Sequence, residues 1–352
     1  MQLSKERVDA FLAELNQAVR VYVPARGEAV SSFARYGQGT EPAFDLVNTD
    51  MPPKDMLFPQ TEKMYRYGLD DEGKPFVDAT FDADEVVLFG VRPCDMRSIE
   101  CMDDVFLTRG FIDEYYETRR QKLTTFALAC TAPAPTCFCD SMGLNAGQAP
   151  AADVLLKDVG AAWQLAAQSE KGAALLGKYK GFFDESDVQD AGAKNSDSVS
   201  CTLKVDMDGV KEKLDQMFDH PLWEDITKKC LTCGTCTYVC PTCYCFDISQ
   251  SNRMKIGERY RCWDSCMFSV YSEMAGGHNP RADKLSRVRQ RFMHKLCFFE
   301  DRYGKSLCVG CGRCIQKCPV ALDISCLIDD IGAAELAPVA LAGEKGAGDG
   351  KH

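Results

Sequence analysis

Apolar positions near the N-terminus recur with helical spacing. Val8, Phe11, Leu12, Leu15 and Val19 stand at i, i+3, i+4, i+7 and i+11, which predicts an amphipathic helix over 4–19 with Ser4 as its N-cap. Val19–Val23 reads as a short strand stopped by Pro24. From there to about residue 80 turn residues dominate and no period holds, although Lys54–Pro59 reads as a docked loop. The pattern sharpens at Val86-Val-Leu-Phe-Gly90, a buried strand, followed by a helix to about Phe106 and a second buried strand at Thr124–Ala129. Strand, helix, strand predicts a βαβ unit with parallel strands. Val154–Leu156 and Ala162–Ala166 around Gly160 predict a hairpin, Glu170–Leu176 a short helix, and Val210–Phe218 another. Residues 183–200 are polar and acidic and precede a domain boundary. Further on, Leu285, Val288, Phe292 and Leu296 form one helical stripe, while Arg287, Arg291 and Lys295 share another face.

A chain of 352 residues is long enough for two domains and a sizeable core. Its 45% hydrophobic and 26% charged content is ordinary for a globular protein. The first residues open directly into a charged amphipathic helix with no apolar h-region, which predicts no export and a cytoplasmic location. No stretch reaches the roughly 18 uninterrupted apolar residues of a membrane span. A net charge of −11 argues against a nucleic-acid partner. Twenty cysteines are the departure from the ordinary, and in a reducing compartment they point to metal rather than to disulfides.

Eight of them form two matching runs, Cys230-Leu-Thr-Cys233-Gly-Thr-Cys236-Thr-Tyr-Val-Cys240-Pro241 and Cys308-Val-Gly-Cys311-Gly-Arg-Cys314-Ile-Gln-Lys-Cys318-Pro319. Both obey C-x2-C-x2-C-x3-C-P, the ferredoxin-type spacing for a [4Fe–4S] cubane. Three thiolates at three-residue intervals let one loop curl around a cluster, since such a step reaches at most about 10 Å. Gly234, Gly310 and Gly312 let the backbone approach inorganic sulfide closely. In two-cluster ferredoxins the fourth cysteine of each run serves the other cluster. That assigns Cys230, Cys233, Cys236 and Cys318 to one cube, and Cys308, Cys311, Cys314 and Cys240 to the other. Zinc would prefer two separated C-x2-C pairs.

The fold class expected is therefore α+β. An N-terminal α/β domain (1–200) precedes a mainly α-helical two-cluster ferredoxin-like domain (201–332) and a disordered tail (333–352). The 67 residues between the runs exceed what a compact two-cluster ferredoxin needs. Arg287, Arg291 and Lys295 read as a solvated face, the alternative being that they offset cluster charge. Cys94 and Cys130 each lie just past a predicted parallel strand, at the edge where ligands collect in such sheets. With Cys137 and Cys139 they suggest a third metal site, a [4Fe–4S] cluster, against isolated buried cysteines or zinc. Cys243, Cys245, Cys262 and Cys266 either bind another cluster or pack around the first, while Cys101, Cys201, Cys297 and Cys326 read as small buried hydrophobes. His220, His278 and His294 show no metal spacing.

In the C-terminal half, His220-Pro-Leu-Trp223, Cys240-Pro-Thr-Cys243-Tyr-Cys245-Phe246, Trp263-Asp-Ser-Cys266-Met267, Met274-Ala-Gly-Gly-His278 and His294-Lys295 accompany the two runs. Arg92-Pro-Cys94-Asp95 and Cys130-x6-Cys137-Phe-Cys139-x2-Met142-Gly143 stand in the N-terminal half. Together these residues, spread over most of 50–330, resemble the electron-transferring iron–sulfur subunit of anaerobic sulfite reductase and the β subunit of cytoplasmic sulfhydrogenases ([NiFe] hydrogenases). The resemblance implies that Cys94 belongs with the 130–139 cysteines. It also implies an iron–sulfur protein that relays electrons between a flavin subunit oxidising NAD(P)H and a catalytic sulfite-reducing or hydrogen-active subunit.

The residues agree with a relay. No G-x-G-x-x-G stands between a strand and a helix, and no Ser/His/Asp constellation is present. A competing expectation is that the chain itself reduces a sulfur compound at a cluster with an open position, built from cysteines 243, 245, 262 and 266. A third is a zinc-stabilised scaffold.

Overall fold

The computed structural model describes residues 1–336 apart from Gln38, Thr80, Asp82 and residues 186–192. The tail expected to be disordered lies outside the described residues from position 337 on; Ala334 and Leu336 pack against the helical core. The chain is α+β, as its pattern predicts.

The strands in chain order are β1 (Gln2–Ser4), β2 (Arg20–Ala25), β3 (Ser32–Arg35), β4 (Thr61–Leu69), β5 (Pro75–Ala79), β6 (Val86–Val91), β7 (Leu123–Leu128), β8 (Val154–Asp158), β9 (Ala162–Ala167), β10 (Phe246–Arg253) and β11 (Ile256–Trp263). Seven of them form one sheet in the order β1-β9-β8-β7-β6-β2-β3. Its centre, β2, β6, β7 and β8, is parallel, as the strand–helix–strand pattern requires, and the outer strands pair antiparallel. Helices α1 (Val8–Ala18), α2 (Pro93–Leu107), α3 (Glu114–Lys122) and α4 (Glu170–Lys178) cover it. Along β6 the period-2 alternation sends Val87 and Phe89 into one core with α1 and α4, and Leu88 into a second core with α2 and Tyr116 of α3. Ser4 ends β1 and makes no side-chain cap; a 3-10 turn at Lys5–Arg7 precedes α1, so the first helix begins at Val8, the first residue of its apolar period, and not at the predicted Ser4 cap.

A second sheet, β10-β11-β4-β5, is wholly antiparallel. It takes one hairpin from residues 61–79 and the other from the insertion between the cysteine runs. Buried Arg261 on β11 anchors it. Its guanidinium pairs with Glu62 of β4 and with Asp113 at the start of α3 (2.6 Å), and lies 5.2 Å from the centre of the Phe58 ring.

The remaining helices are α5 (Val210–Leu214), α6 (Leu222–Lys229), α7 (Thr235–Tyr238), α8 (Lys284–Met293), α9 (Phe299–Tyr303), α10 (Arg313–Lys317) and α11 (Ile324–Ala333). Between α8 and α9 the chain keeps turning through a π-helical segment, His294–Phe298. Val210, Leu214, Trp223, Val288, Phe292, Leu296, Leu327 and Ile331 close this third core.

Candidate metal centre

The two cysteine runs fold into the same backbone turn. α6 stops at Cys230, the loop turns, and α7 starts after Gly234; the second run turns likewise and α10 starts after Gly312. Gly234 (φ 77°, ψ −10°) and Gly312 (φ 75°, ψ −10°) share one left-handed conformation. Two residues earlier Thr232 (φ 53°) and Gly310 (φ 62°) also correspond. The second run tolerates no side chain there. A Cβ on Gly310 would come within 2.6 Å of the Cys139 nitrogen, and one on Gly312 within 2.5 Å of the Thr136 oxygen. These glycines therefore admit the 136–139 segment of the N-terminal half, a role that spacing alone does not reveal. Thr232 is half-buried, and its side chain is accommodated.

The turns bring the thiols together in the crossed pattern expected from the spacing. One cavity is lined by Cys230, Cys233, Cys236 and Cys318, with Met267, Val288, Phe292 and Arg291. A second is lined by Cys308, Cys311, Cys314 and Cys240, with Phe138, Ile324 and Lys295. Backbone N–H groups of Thr232 and Leu322 donate to the sulfurs of Cys230 (3.3 Å) and Cys318 (3.2 Å). Burial pushes the Cys308 thiol up to about 12 and the Cys311 thiol up to about 11.

The cationic face of α8 is not solvated. Arg287, Arg291 and Lys295 are 8%, 4% and 3% exposed. Arg287 donates to the carbonyls of Met267 and Arg281, both at 3.0 Å. Lys295 Nζ donates to Cys240 Sγ at 3.1 Å and to Thr242 Oγ1 at 3.0 Å. Burial works against both remaining cations, but Cys236 and Cys314 beside Arg291, and Cys240 and Cys243 beside Lys295, hold them charged. A hydrogen bond from Cys243, followed by Lys295, draws Cys240 well below the ordinary thiol range. Arg291 Nε is buried and finds no hydrogen-bond partner among the described residues. Four thiols, a buried cation and an unsatisfied donor at the cavity wall fit an anionic thiolate-held cluster.

The structure also gathers the N-terminal cysteines. Cys94 sits in the first turn of α2 and Cys130 just past β7, at one edge of the parallel strands. Cys137 Sγ lies 3.7 Å from the Cys311 carbonyl oxygen, and Cys139 Sγ lies 3.7 Å from Cys201 Sγ. Cys201, read from sequence as a small buried hydrophobe, is buried but stands against another thiol; nothing in its spacing marks it. Cys326, given the same reading, is exposed. Among the later cysteines, Cys245 is brought down to about 6, chiefly by a hydrogen bond from Cys266. Cys262 lies within β11, paired with Asp247 on one side and Thr61 on the other.

Residues 229–322 match the 4Fe-4S dicluster domain family. The chain is 30% identical over 338 residues to sulfhydrogenase 2 subunit beta of Pyrococcus furiosus, an alignment covering 94% of this chain and 98% of that protein. The chain belongs to the sulfhydrogenase beta-subunit family. This agrees with the resemblance carried by the cysteine motifs, and it makes the chain an iron–sulfur electron-transfer protein bearing [4Fe–4S] clusters. No solved structure matches it. No helix among the described residues is long and apolar enough to cross a membrane.

Proposed function

We propose that this sulfhydrogenase-type beta subunit relays single electrons inside a cytoplasmic complex. On one side stands a flavin subunit that oxidises NAD(P)H, on the other a catalytic subunit of the hydrogenase or anaerobic sulfite reductase type. The observation that carries the reading is the crossed lining of the two cavities, with three thiols from one run and the fourth from the other. Cys230, Cys233, Cys236 and Cys318 hold one [4Fe–4S] cluster, and Cys308, Cys311, Cys314 and Cys240 the second. A cluster bound in each supplies one-electron chemistry without proton transfer. The protein's part is to donate hydrogen bonds to sulfur from Thr232, Leu322 and Lys295, and to set local charge through Arg291 and Lys295.

The test is Cys311→Ser in the anaerobically reconstituted chain. Its iron is expected to fall by about four per chain, with loss of one of the two reduced-cluster signals and of electron delivery to the catalytic partner. Retention of both signals contradicts the ligand set. Anaerobic co-purification identifies the flanking subunits. Sulfite or polysulfide turnover by the isolated, chemically reduced chain would favour the competing reading, in which it is itself a reductase.

A further inference from the structure

The two cysteine runs fold alike, yet only one of them is covered. In the second run Val309 is 3% exposed, and residues 136–139 lie across Gly310 and Gly312. Donors from the N-terminal half satisfy this loop. The Phe138 N–H reaches the Gly310 carbonyl at 2.9 Å, and Asn48 Nδ2 reaches the Cys311 carbonyl at 3.0 Å. At the matching places of the first run, Leu231 is 60% exposed and Cys233 is exposed as well. Among the described residues no donor reaches the Thr232 or Cys233 carbonyl oxygen. Phe268 packs against Gly234, but Leu231 and Cys233 stay open to solvent. The rim of this open loop is cationic. Lys228 and Lys229 end α6 beside it, and Lys284 Nζ, from the start of α8, donates to the Cys230 carbonyl at 3.2 Å. Lys228 pairs with Asp225, and the Asp283 carboxylate accepts from the Ser286 N–H at 2.8 Å. Lys229 and Lys284 have no carboxylate partner among the described residues, in a chain whose net charge is −11.

We propose that the Leu231–Cys233 loop is an electron port, covered in the complex by a redox subunit with an acidic surface. That subunit offers carboxylates to Lys229 and Lys284, and N–H donors to the open carbonyls, as Phe138 and Asn48 do for the second run. The proposal rests on the relay reading above and names the face through which it works. Leu231 loses its water on docking, and Cys233 is the thiol nearest the partner. One electron passes there between a flavin or iron–sulfur group of that subunit and the site held by the first run. No bond forms or breaks, and no proton moves. The crossed cysteines, Cys240 and Cys318, join the two cavities, so the covered second run is reached through the open first one.

The experiment uses the complex isolated anaerobically through a tag on this chain, with Leu231→Ala and Lys229→Glu compared with wild type. Both positions are exposed and neither is a thiol, so iron content and both reduced-cluster signals should match wild type. Electron exchange is followed separately with NAD(P)H on the flavin side and with hydrogen or sulfite on the catalytic side. One of the two routes should slow about tenfold in each variant, while reduction of the free chain by a viologen dye is unchanged. In wild type the same route should slow as salt rises, and Lys229→Glu should remove that dependence. Amide hydrogen exchange over residues 229–236 should be slower in the wild-type complex than in the free chain, a readout that needs no variant. Equal exchange in the two, or wild-type rates on both routes in both variants, would overturn the port while leaving the relay intact. A wild-type chain that takes up no iron, or whose clusters neither side reduces, would defeat the relay reading itself.

Discussion

Lys295 is a lysine at 3% exposure whose ammonium rests on a cysteine sulfur. Removing its charge with little change of volume, as in Lys295→Met, disfavours the extra electron on the adjacent cluster. The midpoint potential of that cluster should fall by roughly 60 mV, a tenfold change in a one-electron equilibrium. A potentiometric titration followed by paramagnetic resonance measures this, and an unchanged potential contradicts the role. The neighbouring His294 gives a pH prediction. Burial, aided by Lys295, holds it down to about 4 against an ordinary 6.5, while its Nε2 lies 2.9 Å from the Tyr244 hydroxyl. Between those values the unfolded chain binds a proton that the folded chain refuses. Its contribution to stability is therefore complete above 6.5 and is lost as pH falls toward 4, with a slope of at most about 1.4 kcal/mol per pH unit. His294→Gln should flatten the fall in denaturation midpoint over that window; an identical pH profile in the variant would remove His294 from the account. The cationic stripe was visible in sequence as a phase, but helical phase does not say whether a charged face meets water or thiolates. Here the thiolates come from loops far away in the chain.

At the scale of elements, the cysteine turns carry their own test. Gly310→Ala puts a Cβ 2.6 Å from the Cys139 nitrogen at φ 62°, so it should cost about 1–3 kcal/mol and loosen the second cavity. Thr232→Gly, at the matching position of the first run, should change stability little. Denaturation midpoints and iron retention of the two variants measure the contrast, and equal effects would contradict it. Helices α1, α2, α4, α5 and α8 were legible from their apolar positions, as with Phe11 and Leu15 on α1, and the parallel strands β6 and β7 as short apolar runs buried on both faces; α3, with only Tyr116 buried among polar residues, was not. Nor was the second sheet. Pro75–Ala79 is exposed at four of its five positions, and Phe246–Arg253 at six of eight. Strands that bury so little lack the alternation that betrays a half-buried sheet, and their pairing is supplied by a segment far along the chain. The crossed thiol arrangement was legible, since it follows from the spacing of the runs; Cys201 was not, because a single cysteine in a polar stretch carries no spacing.

On the scale of the whole molecule, one ion pair fastens the second cysteine run to the parallel sheet. Arg313 donates to both carboxylate oxygens of Asp95 at 2.6 and 3.0 Å, and both side chains are 1% exposed. Arg313 Nε also reaches the Thr49 carbonyl, and Asn48 donates to the Cys311 carbonyl at 3.0 Å. Asp95→Ala would leave a buried guanidinium without its counter-charge, an expected loss of about 3–5 kcal/mol in a denaturant titration. A loss below about 1 kcal/mol would mean that water reaches Arg313. The α+β class and the iron–sulfur domain could be read from the chain. The bridging of residues 61–79 to 246–263 could not, because pairing partners so far apart leave no local trace.

That bridging has a bearing on biosynthesis. The β4–β5 hairpin leaves the ribosome long before β11, its neighbour in the sheet, and at about 5–20 residues per second the delay is on the order of ten to forty seconds. Through that interval the free edge of β4 is open to strangers, and the first cysteine loop must then wait again for Cys318 before its thiol set is complete. The first cavity is therefore expected to take its metal only once Cys318 has been made, and a nascent chain halted before it should emerge as a colourless, aggregation-prone fragment.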